Sequence, residues 1–158
     1  MCYTTNGKKC FLKGIPVFST GIDMPSHSVH IVTSILFGGF TRSQGGSGAL
    51  PFVLVRTPGR NAVLNRGSKW PCKGITGAGR GLSCDEYPYA STGQGGEVNW
   101  QADMVSLMPV PSWESAYQGG RLSGFYRGAR VDAGTIFVNI AVPMFPTFYI
   151  DRGGIVHR

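Results

Sequence analysis

Glycine sets the first limit on this chain. It occupies 24 of 158 positions, roughly twice the average share of about 7%. Each glycine enlarges the conformational freedom that folding must remove, so long uninterrupted helices or strands are disfavoured and tight turns and loops are expected. The length allows one domain with a real core and little more. No run of 18 or more apolar residues occurs, so no transmembrane helix is predicted.

Periodicity places the elements between the glycines. From Ser26 to Phe37 the apolar residues Val29, Ile31, Val32, Ile35, Leu36 and Phe37 recur at three-to-four spacing, which predicts a helix. Pro25 precedes it and Gly38-Gly39 stops it. Residues 42 to 49 read as a flexible loop, Pro51 to Arg56 as a buried strand, and 57 to 83 as a long irregular stretch. Strand-type residues fill Val98 to Val105 and, most clearly, Gly134 to Val142. Between them, Ser112 to Tyr126 reads as an amphipathic helix. Its Glu114 and Gln118 share one face, and Trp113, Tyr117, Leu122 and Phe125 form the buried side. Gly119 and Gly120 inside that helix suggest the close approach of another backbone or a phosphate. The expected fold is α+β, with an N-terminal arm over 1–21, a main domain over 22–142 and a tail over 143–158.

Charge bounds the partners. Fifteen Lys and Arg against eight Asp and Glu give a net charge of +7, which suits a polyanion such as nucleic acid. The basic residues are scattered, favouring a broad phosphate-facing surface with Arg56, Arg66, Arg80 and Arg121 as its candidates. The four cysteines, Cys2, Cys10, Cys72 and Cys84, match no zinc-binding spacing. Cys72–Cys84 is the preferred disulfide, holding the segment beside Asp85 with a stabilisation of about 3 kcal/mol, and Cys2–Cys10 the other. Pairing implies an oxidising, extracellular setting. The N-terminus lacks the apolar region of a signal peptide, so an excised or mature domain is expected.

The usual catalytic templates are missing: there is no GxSxG, HExxH or P-loop. His27 and His30 fall on the first predicted helix, where packing or surface roles are expected. Chemistry is left to the carboxylates. The adjacent pair Asp85-Glu86 stands out in so basic a chain, because neighbouring carboxylates repel unless a cation or hydrogen bonds compensate. A hard divalent ion, Mg²⁺ or Mn²⁺, would do so.

The segment Cys84-Asp85-Glu86-Tyr87-Pro88-Tyr89-Ala90-Ser91-Thr92, followed by Gly95-Gly96, closely resembles the CDEYPFAST…GG signature of the NucA/NucB deoxyribonuclease family. The similarity extends upstream through Pro51 to Arg56, Asn65-Arg66 and Cys72. Downstream it includes Val110-Pro111, Gln118-Gly119-Gly120, Phe125-Tyr126 and the segment from Asp132 to Val138. It covers roughly residues 22 to 142. The resemblance implies a small ββα-metal nuclease with an acid in place of the usual catalytic histidine. On that reading Asp85 is the general base and Glu86 supports the metal or the base. Glu114 and Gln118 bind or orient the ion and the scissile phosphate. The substrate is DNA, with RNA as an alternative, and the setting is a secreted nuclease or a delivered toxin domain with a possible inhibitor or immunity protein. Two positions depart from the family: Ser115 stands where Asn is usual, and Gln94 where Glu is common. A non-catalytic nucleic-acid-binding domain on the same scaffold is the competing reading. A small disulfide-bridged secreted protein is a third.

Overall fold

A computed structural model describes residues 14–39, 48–58 and 81–158. The expected loop over 42–49 lies almost wholly outside them, as do most of the irregular stretch and Cys2, Cys10, Cys72, Asn65, Arg66 and Arg80. Two sheets and three helices make up the described part. The larger sheet contains β1 (Val17–Thr20), β2 (Val53–Val55), β5 (Ile136–Ala141), β6 (Phe148–Ile150) and β7 (Val156–His157), in the order β2-β5-β1-β6-β7. Only β1 and β5 run parallel; the other pairs are antiparallel. The smaller sheet is the antiparallel pair β3 (Leu82–Tyr87) and β4 (Ser106–Pro111), with Asp85 opposite Met108. The helices are α1 (Pro25–Phe37), α2 (Glu97–Gln101) and α3 (Ser112–Gly128). Mixed sheets and helices in one unit give the α+β class expected.

The helix read from Ser26 to Phe37 and the strand read from Gly134 to Val142 are present as α1 and β5. Three other expectations are corrected. Val98 to Val105 is not a strand. Gly96 opens α2, Asn99 ties back to the carbonyls of Gly93 and Gly95, and Asp103 takes a left-handed conformation (φ 59°) that ends the turn. Val98 is 80% exposed, so its β-branched side chain has no core to fill. The strand at Pro51 to Arg56 is an edge strand and not a buried one: Leu54 faces inward, while Phe52 and Val53 are exposed.

The third correction concerns α3. Its buried residues are Glu114, Gln118, Leu122, Phe125 and Tyr126, whereas Trp113 is 61% exposed and Tyr117 is also exposed. The stripe therefore runs through the polar pair. The carboxylate of Glu114 faces inward because α1 supplies it with polar partners, as a buried polar group requires. Tyr117 instead donates its hydroxyl to Asp23 Oδ2 at 2.9 Å. A Cβ at Gly119 or Gly120 would meet no atom of the described residues, so none of their backbone approaches there.

Helix α1 lies at the centre, packed against β3, β4, β5 and α3. That position explains a helix whose buried residues are His27, Ser28, His30, Ile31 and Ser34. The apolar core beside it collects Phe18, Ile31, Leu54, Tyr87, Phe125 and Phe137. Phe125 is its hub: its ring centroid lies 5.3 Å from that of Phe18, 5.4 Å from Phe137 and 5.7 Å from both Tyr126 and Tyr149. Removing a buried phenyl ring costs about 3–5 kcal/mol. Phe125→Ala is accordingly expected to lower Tm by roughly 10 °C for a domain of this size, measurable by thermal unfolding.

Candidate functional site

The strand β3 carries Asp85 and Glu86 into the interior, and strand alternation turns them to opposite faces. Asp85 faces α1. Its Oδ2 lies 2.7 Å from His30 Nδ1 and 2.9 Å from His27 Nδ1. The two histidines are three residues apart on the helix and so project from one face. Both are fully buried, and Asp85 is 4% exposed. His30 is held at its other nitrogen too, with Nε2 2.7 Å from Ser106 Oγ on β4. An ionised carboxylate can only accept, so Nδ1 of His30 carries the proton in its bond to Asp85. The expectation of packing or surface roles for the two histidines is replaced by this arrangement. The i, i+3 spacing of His27 and His30 was the available signal, but nothing local connects them to a residue 55 positions away.

Glu86 takes a different partner. Its Oε1 accepts the backbone N–H of Gly96 at 2.7 Å. The glycine pair that follows the signature is thereby placed: Gly96 has φ 96°, and a Cβ at Gly95 would collide with the backbone carbonyl of Tyr89. The signature loop is also stitched to β2. Thr57 N–H donates to Ser91 O at 2.9 Å, Gly93 N–H to Val55 O at 2.9 Å, and Val55 N–H to Gln94 Oε1 at 3.0 Å. Gln94, one of the two departures, thus serves as an acceptor for β2. The Tyr87–Pro88 peptide bond is cis.

Glu114 is 1% exposed and reaches α1 from α3. Its Oε2 accepts the N–H of Ser26 at 2.9 Å and that of His27 at 3.3 Å, while Oε1 accepts the Ser26 hydroxyl at 2.9 Å. Helix α1 starts with Pro25 and has no side-chain cap of its own and no acid in its first turn. Glu114 fills that role from outside, satisfying orphan donors and placing a negative charge at the positive end of the helix dipole. Gln118, one turn further along, is buried, but its Nε2 makes no hydrogen bond among the described residues, and the Tyr89 hydroxyl donates to Asn139 Oδ1 at 3.2 Å.

Hard oxygen ligands at Asp85, Glu86 and Glu114 suit Mg²⁺ or Mn²⁺ in kind. Their placement does not, since each is turned to a separate set of protein donors. Among the described residues no three His, Cys, Asp or Glu side chains gather where they could hold an ion. The three-carboxylate set does not fit a shared metal.

The two described arginines proposed for phosphate contact are engaged within the protein. Arg56 Nη1 donates to Val131 O at 2.7 Å, and its guanidinium lies 4.0 Å over the Tyr126 ring. Arg121 Nη2 donates to Thr147 O at 2.9 Å.

Burial by itself would raise the Asp85 carboxyl. The hydrogen bond from His30 and the electrostatic effect of the two imidazoles outweigh it and hold the group well below the usual carboxylate range. Because the folded value is depressed, this stabilisation is complete above the unfolded value of about 3.9 and is lost as pH falls below it. Asp85→Asn is expected to be less stable at neutral pH and to lose less stability on acidification below about pH 4 than the wild type. Urea unfolding across that range measures both. Equal slopes would mean that the imidazoles do not hold the carboxylate.

Compared with known proteins, the chain matches the family described as Deoxyribonuclease NucA/NucB over residues 55–140. None of the curated proteins compared with it matches.

Proposed function

The chain belongs to the deoxyribonuclease NucA/NucB family, and from that premise we propose that it hydrolyses phosphodiester bonds of DNA at Asp85. The observation that carries this reading is the buried Asp85 inside the matched segment, held by His30 on a strand pair whose second member runs directly into α3. With the short helix α2 inserted between the two strands, β3, β4 and α3 follow one another in the order expected of a ββα nuclease. A carboxylate fixed in its ionised form is always ready to accept a proton from water. Its low basicity offers little driving force, so its contribution comes mainly from holding the water in place.

Dependence on Mg²⁺ or Mn²⁺ belongs to the proposal. So do secretion or delivery outside the producing cell, a toxin role with a cognate inhibitor, and a disulfide between Cys72 and Cys84. Mg²⁺ usually takes only one or two protein carboxylates and keeps several waters, so the separation of Asp85, Glu86 and Glu114 is compatible with an ion that arrives with the substrate. A second reading, a nucleic-acid-binding or structural domain without catalysis, is favoured by that same separation and by the internal engagement of Arg56 and Arg121.

Nicking of supercoiled plasmid decides between them. The purified wild type is expected to nick DNA, to stop on chelation with EDTA and to recover with added Mg²⁺ or Mn²⁺. Asp85→Asn keeps the shape of the side chain and should reduce the rate by at least about 100-fold, the lower end of what an acid–base group contributes. Asp85→Ala is the poorer probe, because it leaves two buried imidazoles without their acceptor. Wild-type-like nicking by folded Asp85→Asn would remove Asp85 from the reaction. A folded wild type that binds DNA but never nicks it would establish the second reading.

A further inference from the structure

We propose that His27 and His30 are positioning residues that together clamp the Asp85 carboxylate, and that Glu114 acts through them by fixing the start of α1. This rests on reading Asp85 as the catalytic carboxylate. The two imidazoles are fully buried and cannot touch a substrate, so any influence they have passes through Asp85.

Three sets of contacts form one chain of support. Glu114 accepts from Ser26 N, Ser26 Oγ and His27 N, setting the rotation and height of the first turn of α1. That turn carries His27, whose backbone N–H is itself one of the donors to Glu114, and the next carries His30. Both Nδ1 atoms converge on the single oxygen Oδ2 of Asp85. Ser106, from the opposite strand of the hairpin, pins His30 at Nε2, fixing its ring as a partner on the second nitrogen generally does.

The clamp is asymmetric. His30 is anchored at both ring nitrogens, whereas among the described residues His27 Nε2 is buried with no hydrogen-bond partner and its Nδ1 lies off the line of a directed hydrogen bond. His30 is therefore the main aligner, and His27 adds a close contact at 2.9 Å. In this account the family position occupied by Glu114 carries a carboxylate that organises a helix, and not one that holds an ion.

The test combines kinetics with a spectroscopic readout. His30→Phe keeps ring volume without the donor; His30→Asn places an amide N–H near the position of Nδ1. In plasmid nicking, His30→Phe and Glu114→Gln are expected to lower kcat on the order of 10–100-fold, the range typical for a partner that orients a reacting group, with KM little changed. His30→Asn should recover part of the loss. In proton NMR of the folded wild type, the His30 Nδ1–H resonance should be shifted downfield by its bond to Asp85. It should move in Asp85→Asn and also in Glu114→Gln, although residue 114 touches neither group. That NMR arm needs no activity and stays informative if His30→Phe fails to fold. Nicking by folded His30→Phe at the wild-type rate would overturn the clamp, as would a His30 resonance indifferent to Asp85→Asn. Rescue of Glu114→Gln by excess Mn²⁺, with the His30 resonance unmoved, would overturn the role given to Glu114 and return it to the ion. A His30 signal that answers to both variants in a protein that never nicks DNA would leave the clamp standing and overturn the nuclease reading instead.

Discussion

A carboxylate buried between two imidazoles is the interaction on which the rest of this structure turns. An isolated charge in that position would be intolerable, since removing an ion from water without a partner costs several kcal/mol or more. Asp85 has its partners only because α1 crosses β3 with His27 and His30 facing the strand. The helix holds that register because Glu114 of α3 closes its N-terminus. The elements meet through polar groups whose demands are mutual. The aromatic core around Phe125 packs beside them and supplies the apolar burial that such a polar centre does not.

This arrangement has a chemical consequence. A carboxylate held far below its usual range is a weak base that is never in the wrong protonation state. Such a group contributes by geometry, and geometry is what the two histidines supply. The glycine pair at 95 and 96 and the stitching of the signature loop to β2 serve the same end. They fix the strand that carries Asp85 from its other side, through Glu86.

The sequence is most informative where the pattern is local. The apolar periodicity between Ser26 and Phe37 and the alternation after Gly134 mark α1 and β5. The CDEYP segment marks the family. It is least informative where a distant residue decides the outcome. On α3, Trp113 and Tyr117 look like the core face by hydrophobicity, yet Glu114 and Gln118 are the buried pair, Glu114 because α1 offers it partners. The segment from Val98 to Val105 suggests a strand, but Asn99 and the preceding glycines close a short helix instead. His27 and His30 look like ordinary helix residues until β3 is placed across them. The Asp-Glu dipeptide suggests a paired metal site, while the pleat of a strand sends the two side chains apart.

The central claim is that the imidazoles hold Asp85 ionised, and the carboxyl itself can be watched. Carbon NMR of protein labelled at the aspartate side-chain carboxyl, followed through an acid titration with Asp85→Asn used to assign the signal, reads its protonation directly. The account predicts that Asp85 stays ionised well below the pH at which the exposed aspartates protonate, until the fold itself is lost. Protonation near the ordinary value of about 3.9 in the folded protein would contradict it.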